Sequence, residues 1–373
     1  MLLSLLVLLC LLIEINSFLS SNIKKIKPFI FLTSNNNNNA LKASTDDSSN
    51  TEISSSSKSS SSKRPSSKRL LQFDIEKAKG YVKLGELNFP DNISEEWELD
   101  CYSRPVTGDD KRKLWEVILT DTNSDFKYIK SLPSNLVNSR NLRKIVEEVM
   151  EESPVRPKTI RFFRNQMYNM ITIALSTLDV DVKPSRRCHN LFMLLNDREA
   201  NIYPNMKGYN PQLRQSTILD MDISQPDRLP DVLKCESYAF VALPAEVFYD
   251  GQVNVDNIGR GKMCPIEDLP KEGFINGITL FSQRADAVAA WMSGVELSSI
   301  EANLLDRELI LNSDINTQYM VAPLMEAQKK EAQIFEKGKA NQNGFHFLSI
   351  QFKPESEDVE GFWLLRQFDD EKK

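Results

Sequence analysis

Apolar and polar positions alternate along two stretches near residue 100, and this pattern predicts a β-hairpin. The runs Trp97–Val106 and Leu114–Thr120 change character at every second residue, and Thr107–Asp110 between them contains Gly108, which suits a turn. A third run, Phe126–Leu132, predicts a further strand. The folded chain is therefore expected to open with antiparallel strands.

Helical spacing replaces this alternation after residue 138. Asn138 or Ser139 is a suitable N-cap, Pro154 and Pro157 end the segment, and the inward-facing positions are Leu142, Ile145, Val146 and Val149. A further amphipathic helix is predicted over Cys188–Arg198, and a short one over Phe73–Lys79.

The stretch Lys158–Arg187 combines a strand, a helix and a basic loop. Alternation gives each face of the strand one aromatic ring and one guanidinium group, with Ile160, Phe162 and Arg164 opposite Thr159, Arg161 and Phe163. The helix has apolar side chains at spacings of three and four, at Met167, Met170, Ile171, Ala174, Leu175 and Leu178. Two acids, Asp179 and Asp181, face seven bases, Arg156, Lys158, Arg161, Arg164, Lys183, Arg186 and Arg187.

The second part of the chain repeats the mixture of strands and helices. Strands are predicted over Tyr238–Leu243 and Gly277–Phe281, one or two more over Leu297–Leu311 with a break near Asn303, and a closing hairpin over Phe345–Phe352 and Gly361–Phe368. Helices are predicted around Val288–Val295 and over Met325–Lys339.

These elements predict an α/β protein, mixed α+β, with a small mixed sheet and packed helices in each half. Residues 203–235 are rich in proline and weakly periodic, which predicts a linker between an N-terminal domain, 70–202, and a C-terminal domain, 236–373. Ile160–Phe163 and Ile278–Phe281 have the same pattern, which suggests two duplicated halves. Two unrelated α/β units would look equally alike.

The first 69 residues have the composition of a leader and a spacer. The apolar run Leu2–Ile13 is shorter than the ~18 residues of a membrane span, which predicts a signal peptide over residues 1–17. Residues 18–45 are basic and hydroxyl-rich, as in a transit segment, and Phe18 opens them; residues 46–69 form a Ser/Lys-rich spacer expected to be disordered. This order resembles the two-part plastid presequence of algae with secondary red-lineage plastids.

Cysteine usage favours a reducing compartment, the plastid stroma, over the alternative of a secreted protein with a stalk. Cys101, Cys188, Cys235 and Cys264 are widely spaced, a thin disulfide framework for a secreted body of this size. Beyond residue 70 the chain has 37 basic and 48 acidic residues, so any binding of a polyanion needs a local patch. With only His189 and His346, a histidine-rich metal site is not expected.

Six motifs in order resemble the Tab-two-like proteins, RNA-binding factors of chloroplasts and cyanobacteria. The motifs are Trp97–Asp100 with Tyr102–Pro105, Leu114–Glu116, Ile160–Arg164, Pro184–Arg187, Ala290–Gly294 and Gly361–Arg366. The resemblance covers about Trp97 to Arg366. It implies a plastid protein that binds the 5′ leader of a messenger RNA for a photosystem I reaction-centre subunit and promotes its translation. Other translation factors or the ribosome are further candidate partners, and the mature protein is not expected to insert stably into a membrane.

An RNA-contacting surface needs guanidinium groups for phosphates and aromatic faces for unstacked bases. The candidate residues are Tyr102, Arg104, Arg161, Phe163, Arg164, Arg186, Arg187, Trp363 and Arg366. Two alternatives stay open at this point. Several of the arginines could form buried structural salt bridges with Glu98, Asp100 or Glu116, and Trp363 could be a core residue.

Two other function classes fit parts of the sequence. Glu98, Asp100 and Glu116 are similar to the acidic metal-binding edge of restriction-endonuclease-like folds, but Ile118 stands where such nucleases place a lysine. This class therefore includes both an active nuclease and an inactive descendant of that fold. The second class is an assembly scaffold for photosystem subunits, with the acidic body as its docking surface. We expect no catalytic residues, no metal and no cofactor.

Overall fold

The computed structural model describes residues 89–108, 111–123, 126–213, 226–251, 253, 260–356 and 358–368. The expected signal peptide, transit segment and spacer, and the helix predicted over Phe73–Lys79, lie outside these residues, so they stay predictions. Among the described helices, none has the length and apolar character needed to cross a membrane.

Five strands form the first sheet, in the order β3–β2–β1–β4–β5. The antiparallel part consists of β1 (Glu96–Thr107), β2 (Lys113–Asp121) and β3 (Lys127–Leu132), which confirms the hairpin and the third strand. Two parallel strands extend it on the other side of β1, β4 (Thr159–Phe162) and β5 (Asp181–Pro184). The basic loop predicted after the central helix therefore begins as an edge strand.

Three helices accompany this sheet. The predicted N-cap of α1 (Ser139–Glu152) is confirmed, since the Asn138 Oδ1 atom accepts a hydrogen bond of 2.9 Å from the Asn141 amide. A 3₁₀ turn, Asn165–Met167, leads into α2 (Tyr168–Leu175). Next, α3 (His189–Asp197) continues through a π turn, Arg198–Ile202, into a 3₁₀ turn, Tyr203–Asn205. Other 3₁₀ turns are Ser134–Leu136, Pro211–Leu213, Asp231–Leu233 and Glu326–Gln328.

Both faces of β1 are buried. One face carries Trp97, Leu99 and Cys101, as expected of a core, and the other carries the charged residues Glu98, Asp100 and Arg104. The charged face lies on the same side of the sheet as α3, whose apolar residues pack with Ile118 and Phe163. The alternation along β1 thus does not distinguish buried side chains from solvent-exposed ones. Both faces are buried, and one is apolar whereas the other is charged.

Two further sheets come from residues beyond 226. A five-stranded sheet has the order β7–β9–β13–β14–β8, and a four-stranded sheet has the order β10–β11–β12–β6. Their strands are β6 (Asp227–Arg228), β7 (Ser237–Pro244), β8 (Gly261–Met263), β9 (Phe274–Phe281), β10 (Leu297–Asn303), β11 (Glu308–Ser313), β12 (Thr317–Pro323), β13 (Phe345–Gln351) and β14 (Gly361–Arg366). The helices among the described residues of this part are α4 (Glu246–Tyr249), α5 (Ala285–Gly294) and α6 (Lys329–Asn341).

The largest core of this part joins both sheets to α5 and α6. It includes Val288 and Met292 from α5, Phe335 from α6, and Leu348 and Trp363 from the closing hairpin, all of them buried. Burial of such side chains is the main source of stability in a domain of this size. Trp363 is therefore a core residue, which is the structural alternative that the sequence left open for it.

The mixed α/β class is confirmed, and most elements fall where periodicity predicts them. Leu297–Leu311 resolves into two antiparallel strands, β10 and β11, and β12 was not predicted. The two segments compared for duplication are connected differently, because β4 leads through α2 to a strand of its own sheet, whereas β9 leads through α5 into the other sheet. The duplication and the domain boundary at 203–235 stay predictions.

We expect Gly344→Ala to destabilise the protein by about 1–3 kcal/mol, since Gly344 has a φ of +81° and a side-chain carbon there would lie 1.8 Å from the Gln367 carbonyl oxygen. Gly294→Ala is the matched control, because nothing lies within 4 Å of its added carbon and its φ is not positive. Chemical denaturation of both variants measures the effect. Equal stability of the two would contradict this account of Gly344.

Candidate functional site

Six polar residues on the charged side of the first sheet form one network, which we call the Asp100 cluster: Asp100, Arg104, Glu116, Arg164, Arg198 and Tyr203. Arg104 lies between two carboxylates, with its Nη2 atom 2.8 Å from Asp100 and its Nε atom 3.1 Å from Glu116. Arg164 holds the other side of Asp100, with its Nε atom 2.6 Å from Oδ1. Asp100 is therefore shared by two arginines, and Arg104 is shared by two carboxylates.

Glu116 receives its remaining partners from the turn that follows α3. The Tyr203 hydroxyl donates a hydrogen bond of 2.7 Å to Glu116 Oε2, and the Arg198 Nη2 atom donates to Oε1. Both residues belong to the π and 3₁₀ turns after α3. Single π turns are rare and are frequently found at functional sites. The Arg164 guanidinium also stacks on the Tyr102 ring, 3.9 Å from its centre.

The charges within the Asp100 cluster stabilise one another. Burial alone would raise the pKa of Asp100, but the charges and hydrogen bonds of Arg164 and Arg104 hold it below its ordinary value. The pKa of Arg104 is raised despite burial, chiefly by Asp100. Buried ions are tolerated when every charge is paired and hydrogen-bonded, and this network meets that condition.

Glu98 differs from its neighbours because no arginine in the described part of the chain forms an ion pair or a hydrogen bond with it. Its Oε2 atom accepts a hydrogen bond of 2.7 Å from the Leu191 amide, in the first turn of α3. Burial raises the pKa of Glu98 to about 8, and the hydrogen bond from Leu191 and the charge of Arg161 offset only part of this. Glu98 is thus a largely protonated acid at neutral pH.

These partners bear on the nuclease alternative. Asp100 and Glu116 are neutralised by arginines, and Glu98 is held by a backbone amide, so none of the three presents a free carboxylate for magnesium. Across the residues that the structure describes, no group of three or more His, Cys, Asp or Glu could hold a metal ion.

A second network lies where β5 and β8 approach the start of β10. We call it the junction cluster: Glu96, Arg161, Lys183, Arg187, Lys262 and Glu296. Arg161 links its two acids, with its Nε atom 2.9 Å from Glu296 Oε2 and its Nη1 atom 2.5 Å from Glu96 Oε2. The Ser185 hydroxyl also donates to Glu296, at 2.9 Å. This contact joins the first sheet to the chain beyond residue 226.

The junction cluster keeps Glu296 ionised. Burial would raise the pKa of this carboxyl, but Arg161, followed by Arg187 and Lys262, lowers it to about 2. Burial lowers the pKa of Lys262, and the neighbouring charge of Arg187 lowers it further. The charge of Lys262 is thus less fully compensated than those of Arg104 and Arg164 in the Asp100 cluster.

The comparisons with known proteins match two segments of the chain, which contain every residue of the two networks except Tyr203. The model of the RNA-binding protein Tab2/Atab2 N terminus matches residues 96–198, and that of the C-terminal domain matches residues 216–366. This chain belongs to the Tab2/Atab2 family.

Two plant relatives agree with this assignment. The chain is 33% identical over 300 residues to the Arabidopsis thaliana Protein TAB2 homolog, chloroplastic, covering 75% of this chain and 78% of that protein. It is 34% identical over 287 residues to the Zea mays protein of the same name, covering 74% and 72%.

A solved structure, the simian T-cell lymphotropic virus intasome in complex with PP2A regulatory subunit B56 gamma, aligns with a TM-score of 0.24 at 11% identity, over 33% of this chain and 48% of that chain. A likeness this weak does not inform the fold.

The nine candidate residues of this Tab2/Atab2 family member do not form one surface. Tyr102, Arg104 and Arg164 belong to or touch the Asp100 cluster, while Arg161 and Arg187 belong to the junction cluster. Phe163 and Trp363 are core residues. Arg104 and Arg164 form buried salt bridges with Asp100 and Glu116, as the structural alternative expects. Arg161 is also buried and paired, but with Glu96 and Glu296 instead of the acids expected. RNA contact by these arginines stays a prediction.

Arg186 and Arg366 lie at two further places. The Arg186 Nε atom donates 2.8 Å to the Ile315 carbonyl. Arg366 pairs with Asp268 at 3.1 Å and stacks over the rings of Phe345 and Phe368. Each arginine is thus anchored by residues of the C-terminal part.

Sequence reasoning missed the partners that come from far along the chain. Glu296 is 135 positions from Arg161, and Arg198 and Tyr203 are more than 80 positions from Glu116. Local spacing carries no signal for such pairs. The one indication in the sequence is the excess of basic residues near residue 160. Too few acids lie nearby to pair with them, so distant carboxylates are required if they are buried.

We expect Arg161→Ala to lower the free energy of unfolding by about 3–5 kcal/mol, because removal of one partner leaves Glu296 buried with its charge poorly compensated. Arg143→Ala is the control; its pair with Glu147 is solvent-exposed and spans 3.8 Å, so its loss should cost about 0.5 kcal/mol. Denaturant titration compares the two. Similar small losses would contradict a structural role for the junction cluster.

Glu98 should make stability depend on pH. The folded pKa of about 8 exceeds the ordinary value of 4.5, so the folded state binds the extra proton. The contribution is full below pH 4.5 and is lost as the pH rises through about 8. We expect Glu98→Gln to be progressively more stable than the wild type as the pH rises across this window, measured by denaturation at each pH. Parallel curves for the two proteins would show that Glu98 does not titrate in this range.

Proposed function

We propose that this protein binds RNA in the plastid and promotes translation of a messenger RNA for a photosystem I reaction-centre subunit. The observation that carries the proposal is the match of both Tab2/Atab2 models, in order, over residues 96–198 and 216–366. Sequence motifs from Trp97 to Arg366 point to the same role.

The plastid stroma is the proposed location. Two relatives whose names carry the word chloroplastic support the organelle. The composition of residues 1–45 supports import through a signal and a transit segment. The four described cysteines are free, which suits a reducing compartment.

The proposed action is binding without catalysis. Glu98, Asp100 and Glu116 are the acids that a nuclease of the restriction-endonuclease type would use, and all three are already engaged by arginines or a backbone amide. The proposed partner is the 5′ leader of the message, with other translation factors or the ribosome acting after it is bound.

The body of the protein is acidic, so the affinity for RNA must come from a localised set of cations. Contacts with several phosphates release counterions, and the logarithm of the binding constant then falls with the logarithm of salt concentration by about 0.7 per phosphate of a single strand. A purely apolar protein interface has no such slope.

We expect the full chain to bind the leader RNA saturably, more tightly than a scrambled RNA of the same length, and with a steep loss of affinity as salt rises. Fluorescence anisotropy at several salt concentrations measures all three features. If the folded protein bound neither RNA, the translation-factor proposal would be contradicted. The scaffold alternative, in which the acidic body docks a photosystem subunit, would then be the one to pursue.

A further inference from the structure

The junction cluster contains hydrogen-bond donors that the described part of the protein does not use. Lys183 and Lys262 approach the same oxygen, Glu296 Oε1, at 3.8 and 3.9 Å, which is too far for a hydrogen bond. The Arg187 guanidinium makes no ion pair or hydrogen bond with any described residue. An ammonium group has three hydrogen-bond donors and a guanidinium group has five. The junction cluster therefore contains more side-chain donors than its carboxylate oxygens can accept.

These cations come from separate elements that converge. Lys183 lies on β5, an edge strand of the first sheet, and Lys262 lies on β8, an edge strand of the second. Arg187 follows β5 in the turn before α3, and its charge acts on Lys262. The convergence thus depends on contact between the two parts of the chain.

The two lysines remain accessible to solvent. The side chains of Lys183 and Lys262 are 36% and 35% exposed, whereas Glu296 between them is 9% exposed. Arg161 and Ser185 already occupy Glu296 Oε2, so the carboxylate holds the lysines in place without satisfying them. Asp181, 3.1 Å from Lys183, is the remaining acid beside the cluster.

The charge balance favours an added anion. The four cations are Arg161, Lys183, Arg187 and Lys262, and the carboxylates that pair with them or lie within 4 Å of them are Glu96, Glu296 and Asp181. Asp314 lies beside Glu296 but forms no ion pair with a described cation. The pKa values of Arg187 and Lys262 are lowered, so both are harder to keep charged than in water. An incoming phosphate oxygen would accept the unused hydrogen bonds and compensate the excess charge. Lysine on an edge strand also deters edge-to-edge pairing, but that role requires neither Arg187 nor a shared carboxylate.

We infer that Lys183, Lys262 and Arg187 form a phosphate-binding site that contacts the backbone of the bound RNA at the junction of the two sheets. This inference rests on the proposed RNA-binding function. Phosphate contacts position a nucleic acid without reading its sequence, so the site would contribute affinity equally to a specific and a non-specific RNA. Sequence discrimination would come from other residues.

The test is an anisotropy titration of the full chain and its Lys183→Gln/Lys262→Gln variant, with leader and scrambled RNAs at several salt concentrations. We expect about a tenfold loss of affinity for both RNAs, and a salt slope that is shallower by about 1.4, for two lost phosphate contacts. Lys183→Arg/Lys262→Arg should retain most of the affinity, because it keeps both charges.

The control variant is Lys330→Gln/Lys337→Gln, which removes the same charge from the exposed side of α6. It should bind as the wild type does, and thermal unfolding should show that all variants are folded. An equal loss of RNA affinity in the control variant would mean that the effect comes from overall charge, and it would overturn the proposed phosphate site. Unchanged binding by Lys183→Gln/Lys262→Gln would also overturn it, while leaving the proposed function intact. Failure of the wild type to bind either RNA would instead overturn both.

Discussion

The ion pair between Arg161 and Glu296 is the contact on which the arrangement of the protein depends. It joins β4 of the first sheet to the residue just before β10, with an N–O distance of 2.9 Å and with only 2% of the Arg161 side chain exposed. Glu96 and Ser185 complete the network from the first sheet. Because a buried charge without its partner is costly, this contact constrains where the two parts can lie.

The Asp100 cluster shows why both faces of β1 can be buried although one is charged. Its two carboxylates accept hydrogen bonds from three arginines and a tyrosine, and each donor comes from a defined turn or strand end. Replacement of such a network by apolar residues can be energetically neutral, so its value is better sought in specificity than in stability. If α3 packed differently, the buried Glu116 carboxylate would lose its hydrogen bonds from Tyr203 and Arg198. The free-energy cost of that unpaired charge would disfavour the alternative packing.

Local patterns in the sequence predicted the elements well but did not show which distant side chains meet, for one physical reason. Periodicity reports how a segment meets its immediate surroundings, so the hairpin, α1 and its Asn138 cap, and the closing strands were all evident. The same alternation along β1 could not tell a charged interior from solvent. The pairing of Arg161 with Glu296 could not be predicted, because the two residues are 135 positions apart. The position of Lys262 beside Lys183 is likewise set by contact between two sheets and not by local spacing.

Shared carboxylates also limit how the two parts could have evolved. Glu296 is held by side chains from the first sheet and approached by Lys262 from the second, so each part carries charges whose counterparts belong to the other. A cut at the boundary between the two family matches would leave Arg161 with Glu96 alone among its described partners, and Glu296 with only the more distant Lys262. The N- and C-terminal segments are therefore poor candidates for independent shuffling into other proteins, and their sequences should change together at these positions.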